Sequence, residues 1–221
     1  KDILLVKTDS LGSVEWSKAY GSGNGDWGYD VQQTADGGYI LTGCLDVSPP
    51  GPGLADIDLI LLKLDSVGNQ EWSWVFGDTL LDLGREVLQT QDGGYLVSGS
   101  TQTLLGGGNA VFLVKTDNLG SPQWLKRYLV EDASYGYAVV EYGGGFIVST
   151  LAYTPTYKTG NSGDILTFRV DNMGNVIWSK VYGSSNYEEA WDLFVNEDST
   201  ITITGATNNW TNGETDLLLI N

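Results

Sequence analysis

The stretch Lys-Thr-Asp-Ser-Leu-Gly-Ser-Val-Glu-Trp at residues 7–16 decides the fold, because close variants of it return three more times along the chain. The variants start at Lys63, Lys115 and Arg169 and read K-L-D-S-V-G-N-Q-E-W, K-T-D-N-L-G-S-P-Q-W and R-V-D-N-M-G-N-V-I-W. The starting residues are 56, 52 and 54 positions apart. A period of this length is typical of propellers, solenoids and other arrays, so we expect residues 1–221 to form one continuous domain.

Each repeat is predicted to contain four short antiparallel strands, here named A to D. From Gly28 the unit reads G-Y-D-V-Q-Q-T, A-D-G-G, Y-I-L-T-G, a variable loop, D-L-I-L-L-K-L-D, S-V-G-N and E-W-S-W-V-F-G. Apolar and polar residues alternate, and turns rich in Asp and Gly separate the runs, which is the pattern of hairpins. Asp can bond the backbone of its own turn, and Gly accepts positive φ. We found no helical period.

Four strands in about 53 residues predict an all-β fold, a β-propeller of four-stranded antiparallel blades. Repeats begin near residues 2, 58, 110 and 164, and a partial fifth begins at Asp216, which adds one extra strand. One blade could then combine strands A and B from the C-terminal end with strands C and D from the N-terminal end. The surplus strand C leaves three hypotheses open: a cut one strand too long, a slice of a larger propeller, or pairing with a neighbouring chain.

The motif D-G-G-Y-I-L-T-G, followed by D-x-L-x-K-x-D-x-x-G-x-x-x-W, resembles the tandem propeller repeats of secreted and cell-surface proteins of bacteria and archaea. Its layout is similar to that of kelch blades, although Asp-Gly-Gly precedes strand B where kelch has a glycine pair after it. The resemblance implies an extracellular or cell-surface location and a scaffold or adhesion role. The kelch-like layout also implies that strand A is innermost.

Composition excludes several classes of partner and chemistry. The 28 acidic and 11 basic side chains give a net charge of −17, which repels nucleic acid and anionic lipid. No apolar stretch is long enough to insert in a membrane. The absence of histidine removes the commonest general base, and Cys44 as the single cysteine rules out a thiolate metal cluster.

The loops between strands B and C differ in every repeat and carry aromatic and amide side chains. Such residues suit stacking on a sugar and hydrogen bonding to its hydroxyl groups. Two tryptophans in the connections before strand A have the same potential. The predicted ligand-binding residues are Trp27, Tyr153, Tyr157, Trp191, Asn208 and Trp210. The recurring Trp16, Trp72, Trp124 and Trp178 are instead predicted to pack between blades.

Acidic residues recur at two aligned positions around the start of strand A. Oxygen ligands suit calcium, so the predicted metal ligands are Asp26, Asp30, Asp82, Glu86, Glu188 and Asp192. The alternative is that the first position accepts hydrogen bonds from backbone amides of the preceding loop. We favour that alternative, because the third repeat has neither acid. No cofactor is therefore certain, and calcium is the candidate.

We expect a non-enzymatic module that presents its variable loops to a glycan or protein surface partner, with self-association through the extra edge strand as a further hypothesis. The alternative is a structural scaffold of a larger cell-surface protein. A carboxylate-based glycoside hydrolase or lyase is the least favoured hypothesis, because recurring acids occupy similar environments whereas a catalytic pair needs different ones. Its candidate residues would be Asp26, Asp82, Glu86, Glu188 and Asp192.

Overall fold

A computed structural model of the chain describes residues 1–48, 56–102, 108–129, 134–153, 163–184, 187–208 and 216–220. Within these ranges the secondary structure consists of strands joined by tight turns. The first four strands after the N-terminal pair form a complete sheet, and two more complete sheets follow it. The strands are β1 (Ile3–Thr8), β2 (Val14–Tyr20), β3 (Asp26–Gln33), β4 (Tyr39–Asp46), β5 (Ile57–Leu64), β6 (Gln70–Phe76), β7 (Asp82–Gln89), β8 (Tyr95–Gln102), β9 (Asn109–Thr116), β10 (Pro122–Tyr128), β11 (Ser134–Glu141), β12 (Gly145–Ala152), β13 (Asp164–Asp171), β14 (Val176–Tyr182), β15 (Glu188–Val195), β16 (Ile201–Thr207) and β17 (Asp216–Ile220).

The strands form three four-stranded sheets in chain order, namely β3 to β6, β7 to β10 and β11 to β14. A two-stranded sheet of β1 and β2 precedes them, and a three-stranded sheet of β15, β16 and β17 follows. The prediction of an all-β chain with antiparallel four-stranded sheets is confirmed. No helix that could cross a membrane occurs in the described part of the chain.

The predicted split blade does not match the sheets. Strand β17 pairs with β16, from Thr207 opposite Asp216 to Ile203 opposite Ile220. It therefore occupies the position beside β16 that we had assigned to β1. Because a short connection closes at a lower entropic cost than a pairing of the two chain ends, the local partner is favoured.

The chain divides into two compact units, residues 1–97 with 115–123 and residues 98–114 with 124–221. In the first unit, one face of β1 packs against β4 and β5: Ile3 and Leu5 join a core that contains Leu41, Ile60 and Leu62. Further along, β7 packs against β3, β4 and β5. In the second unit, β15 packs against β11, β12 and β13 in the same way.

The recurring lysine of the repeat ties three strands of a sheet together. Lys63 in β5 is buried, and its Nζ lies 2.9 Å from Asp36 in the turn before β4 and 3.0 Å from Glu71 in β6. Lys115 makes the same contact with Asp92, also at 2.9 Å. Burial alone would lower the pKa of Lys63, but the hydrogen bonds to its two acids outweigh burial and raise it.

The turns between strands C and D follow the predicted mechanism. The Asp9 carboxylate accepts hydrogen bonds from the backbone N–H groups of Leu11 and Ser13, each at 2.8 Å. Gly12 completes this turn with a φ of +82°, a conformation that side chains with a Cβ rarely adopt. In the first unit the ring of Trp16 lies against the equivalent glycine, Gly68, of the next sheet.

Candidate active site

The acids of the first aligned position hold the loop that leads into strand A. Asp26 accepts hydrogen bonds from the N–H and hydroxyl of Ser22, at 2.7 and 2.9 Å. In the second unit, Glu188 accepts the same two bonds from Ser184, at 3.0 and 2.7 Å. Both acids are buried. The geometry agrees with the loop-capping alternative for these two predicted metal ligands.

Acids of the second aligned position lie beside a β-bulge in strand A. The ladder between β3 and β4 shifts between Gly28 and Asp30, and that between β15 and β16 shifts between Ala190 and Asp192. Asp30 Oδ2 accepts a hydrogen bond of 3.0 Å from Val87 N in β7, and so connects two sheets. Asp192 Oδ1 accepts one of 2.8 Å from Leu193 N. These carboxylates accept backbone donors, as a bulge makes possible.

A metal site is not assembled from the predicted ligands within the described ranges. No group of three or more acidic or cysteine side chains lies close enough there to hold a metal ion. Asp26 and Asp30 accept hydrogen bonds from backbone N–H groups instead. Glu86 lies half-buried in β7. A calcium requirement stays a prediction.

A different set of acids lies at the start of β5, in the first unit. The loop from Gly77 to Leu81 crosses this point: Ile57 N donates a hydrogen bond of 3.2 Å to Leu80 O, and Ile57 bridges to Leu81. This contact brings Asp58, the second residue of β5, beside Asp82, the first residue of β7.

The absence of a side chain at Gly77 leaves room for the two carboxylates. A Cβ added there would lie 1.9 Å from Asp58 Oδ1 and 2.9 Å from Asp82 Oδ2. Both oxygens are therefore within 3 Å of one point, close enough for their charges to interact strongly. Asp82 is fully buried, whereas Asp58 is partly accessible to solvent.

The surroundings of Asp58 favour its protonated form. Burial, together with the charges of Asp56, Asp82 and Asp78, raises the pKa of Asp58 from 3.8 to about 6. Its Oδ1 is buried and has no hydrogen-bond partner among the described residues. An acid that keeps its proton near neutral pH can act as a proton donor.

Asp78 is exposed in the same loop and lies four residues before Asp82. Its backbone N–H donates a hydrogen bond of 3.1 Å to Asp82 Oδ2. The equivalent residues in other repeats are Ser22 and Ser184, whose hydroxyl groups donate to the following acid. At position 78 the chain thus has a negative charge where these two repeats have a hydroxyl donor.

Sequence reasoning missed Asp58 and Asp78 because both looked like ordinary strand and loop residues. Asp58 matches Asp2 in the first repeat, and a carboxylate pair similar to Asp58 and Asp82 recurs there: a Cβ on Gly21 would lie 2.2 Å from Asp26 and 3.1 Å from Asp2. The available signal was the change from Ser to Asp at position 78, together with the neighbouring Asp56.

The predicted ligand-binding residues lie elsewhere. In the first unit Trp27 is partly exposed on β3. In the second unit Trp191 is exposed on β15, Tyr153 follows β12, and Asn208 Oδ1 accepts a hydrogen bond of 2.7 Å from Tyr187 N. Tyr157 and Trp210 lie outside the described residues. A ligand for this set stays a prediction.

No protein-family model and no curated protein sequence matches this chain. Solved structures do match it in fold. The endo-arabinase from Bacteroides thetaiotaomicron VPI-5482 has a TM-score of 0.51 and 10% identity, over 95% of this chain and 81% of that one. An exo-1,5-α-L-arabinanase from a bovine ruminal metagenomic library has a TM-score of 0.42 and 9% identity, over 99% of this chain and 91% of that one.

These similarities correct the expected function. The prediction of a non-enzymatic binding or adhesion module, with a scaffold as its alternative, is wrong, because the solved structure that matches with a TM-score of 0.51 is an enzyme, an endo-arabinase. Our reason for placing such an enzyme last was that the repeated acids share one environment. Asp58 contradicts that reason, since Asp56 and Asp78 give it surroundings of its own.

The kelch-like layout and the extracellular location stay predictions. Arabinanases have a five-bladed β-propeller, and the fold class of this chain is that of a β-propeller.

Proposed function

We propose that the protein is a glycoside hydrolase that cleaves a polysaccharide of neutral sugars, with Asp58 as its general acid. The observation that carries the proposal is the carboxyl of Asp58, whose pKa is raised to about 6 beside other acids in a partly accessible site. Glycoside hydrolysis needs a protonated acid on one side of the scissile bond and an ionised carboxylate on the other.

Asp78 is the carboxylate that we assign to the second role. It is exposed, so it can reach a bound sugar or a water molecule, whereas Asp82 is fully buried. Asp82 is a positioning residue: it accepts the backbone N–H of Asp78 and its charge helps to keep Asp58 protonated.

In the proposed reaction Asp58 gives its proton to the glycosidic oxygen as the bond from that oxygen to the anomeric carbon breaks. Asp78 takes a proton from the water that attacks the anomeric carbon, or attacks that carbon itself before water releases the product. The two routes invert or retain the anomeric configuration respectively. In the inverting route, exchange with solvent then removes the proton from Asp78 and returns one to Asp58. In the retaining route, Asp58 regains its proton from the water that hydrolyses the bond between Asp78 and the sugar.

The substrate class follows from charge and from the comparison. A net charge of −17 repels acidic glycans, so a neutral polymer is the better substrate. Arabinan is the first polymer to test, because the similar solved structure is that of an endo-arabinase. A polymeric substrate also supports the proposed extracellular or cell-surface location.

The test is the release of reducing ends from arabinan and from a panel of other neutral polysaccharides by the purified chain. Asp58→Asn should lower kcat by at least about 100-fold, the usual contribution of a general acid. Asp2→Asn is the matched control, because Asp2 occupies the same repeat position, and it should retain full activity. Activity of the wild type should fall as the pH rises above about 6, where Asp58 loses its proton. Equal activity of Asp58→Asn and wild type, or no cleavage of any polymer, would overturn the proposal.

A further inference from the structure

Strand β6 carries two aromatic residues at positions where the other repeats have different residue types. After the recurring Trp72 the chain reads S-W-V-F-G-D, where the other repeats read S-K-A-Y-G-S, L-K-R-Y-L-V and S-K-V-Y-G-S. Trp74 thus stands in the place of a lysine, and Phe76 in the place of a tyrosine. Alternate residues of a strand share one face, so both lie on the same face of β6. The departures lead directly to the loop that carries Asp78.

The lysine of the other repeats connects its strand to the turn of the following sheet. Lys18 Nζ donates a hydrogen bond of 2.7 Å to Asn69 Oδ1, and Lys126 Nζ donates one of the same length to Asn175 Oδ1. In the turn that faces Trp74, the equivalent of these asparagines is Ser121. Both members of the pair are therefore replaced together. Since lysine and asparagine make this connection elsewhere, the fold does not require a tryptophan here.

Trp74 is held firmly although much of its side chain is exposed. Its Nε1 donates a hydrogen bond of 3.1 Å to Leu119 O. A Cβ on Gly120 would lie 2.5 Å from Trp74 Cδ1, so the five-membered ring lies against the backbone of this turn. The side chain as a whole is 39% exposed. Its polar atom is thus used within the protein, which leaves apolar ring surface in contact with solvent.

The exposed ring lies close to the candidate active site. Its sheet, β3 to β6, and the next one, β7 to β10, are both complete, so the exposure does not arise from a missing strand. The ring lies nearly parallel to that of Phe76, at 13° and with 6.4 Å between centroids. Phe76 directly precedes Gly77, where Asp58 and Asp82 meet. Three residues of a strand, from Trp74 to Gly77, span about 10 Å.

We infer that Trp74 is a platform on which one sugar ring of the polysaccharide stacks, beyond the sugars that flank the cleaved bond. The inference rests on the proposed function, because it places Trp74 on the path of a polymer bound at Asp58. The C–H groups on one face of a sugar gain dispersion contacts and lose water when they cover an aromatic ring. This attraction needs no charge, so it suits a neutral polymer.

The test is electrophoresis in native gels that contain arabinan or another neutral polysaccharide, with Asp58→Asn as the parent chain so that no polymer is cut. The acidic chain migrates readily, and binding to a neutral polymer slows it. Trp74→Lys combined with Ser121→Asn introduces the pair that Lys18 and Asn69 form, so the connection to the turn is kept while the platform is lost. The dissociation constant should rise roughly tenfold, as expected for loss of an aromatic contact.

Two single substitutions separate stacking from structural support. Trp74→Phe keeps an aromatic ring but loses the hydrogen bond to Leu119 O, and it should retain most of the affinity. Val75→Lys is the matched control, because it adds the same charge at the next residue, which is 43% exposed on the opposite face of β6. It should leave the affinity unchanged. Urea unfolding confirms that each variant is folded.

Three results would overturn the inference. One is equal affinity of the double variant and its parent, and another is the absence of retardation by every polymer. The third is weaker binding by Trp74→Phe than by the double variant, because the connection to the turn would then matter and the ring would not. A wild-type chain that binds polymer through Trp74 but cleaves none would overturn the hydrolase proposal alone.

Discussion

Replacing Asp58 with Asn should make the protein more stable at neutral pH while it removes the general acid. The folded state raises the pKa of this carboxyl above its ordinary value of 3.8, so folding favours the protonated form. The associated stability is fully present below the unfolded pKa of about 3.8 and is lost as the pH rises through about 6. Asn is neutral at every pH and avoids that loss.

The magnitude follows from the pKa difference. A shift from 3.8 to about 6 corresponds to about 3 kcal/mol at full strength. Solvent reaches the site and screens part of the interaction, so we expect a gain of about 1 to 2 kcal/mol in the free energy of unfolding. Asp78→Ser introduces the residue type that the equivalent positions, Ser22 and Ser184, carry, and it removes one of the charges near Asp58. It should therefore give part of the same gain.

Urea unfolding followed by tryptophan fluorescence, at about pH 4 and about pH 7.5, measures the effect. The difference between Asp58→Asn and wild type should be small at the lower pH and reach its full size at the higher one. Asp2→Asn controls for the loss of a carboxylate at the same repeat position. If Asp58→Asn were less stable than wild type at about pH 7.5, or if its gain did not depend on pH, the assigned electrostatics of the site would be wrong.

Three further substitutions test the architecture by thermal or urea unfolding. Lys63→Met keeps the buried stem but loses the hydrogen bonds to two acids, so it should lower the free energy of unfolding by about 1 to 3 kcal/mol. Lys7→Met, at the same repeat position in β1, should have no measurable effect on stability. Equal effects of the two substitutions would contradict the assigned role of Lys63. Tyr128→Phe removes a 2.7 Å hydrogen bond to the Gly174 carbonyl and should cost about 1 kcal/mol, and an unchanged midpoint would contradict this. Gly43→Ala places a Cβ 1.9 Å from Trp27 O and should cost about 3 kcal/mol; wild-type stability would show that the two strands can separate freely.

The sequence was sufficient to predict the hairpins because each depends on a few local residues. Asp9 and Gly12 form their turn through contacts no more than four residues apart, and the same pattern predicts the other turns between strands C and D. Strand pairing at the two ends was predicted wrongly, because residues 2–6 and 216–220 carry nearly the same pattern, Asp followed by apolar residues. Local sequence cannot tell which of β1 and β17 pairs with β16. The short connection from β16 to β17 favours β17.

The site residues were harder to predict, because aligned acids look equivalent in a sequence and differ only in their surroundings. Asp26 and Glu188 receive hydroxyl donors, whereas the corresponding donor position before Asp82 holds Asp78. The consequence appears on Asp58, which is 20 residues earlier in the chain and reaches the loop through the contact between Ile57 and Leu80. A pKa shift of this kind depends on tertiary contacts that a repeat alignment does not contain.

In a repeat protein, regularity maintains the fold, so departures from the repeat are where function is best sought. Loss of the serine hydroxyl at position 78 removes a hydrogen bond that stabilises the loop in two other repeats, and the added charge opposes ionisation of Asp58. Both changes cost stability, and neither is required by the fold, since Asp26 and Glu188 hold their loops with serine partners. A site that keeps a carboxyl protonated near neutral pH is expected to lower the stability of the fold, and here that loss is confined to one partly accessible site. In the proposed site Asp58 and Asp78 are therefore the catalytic carboxylates and Asp82 positions them, whereas Asp26 and Glu188 only hold the loops before their strands.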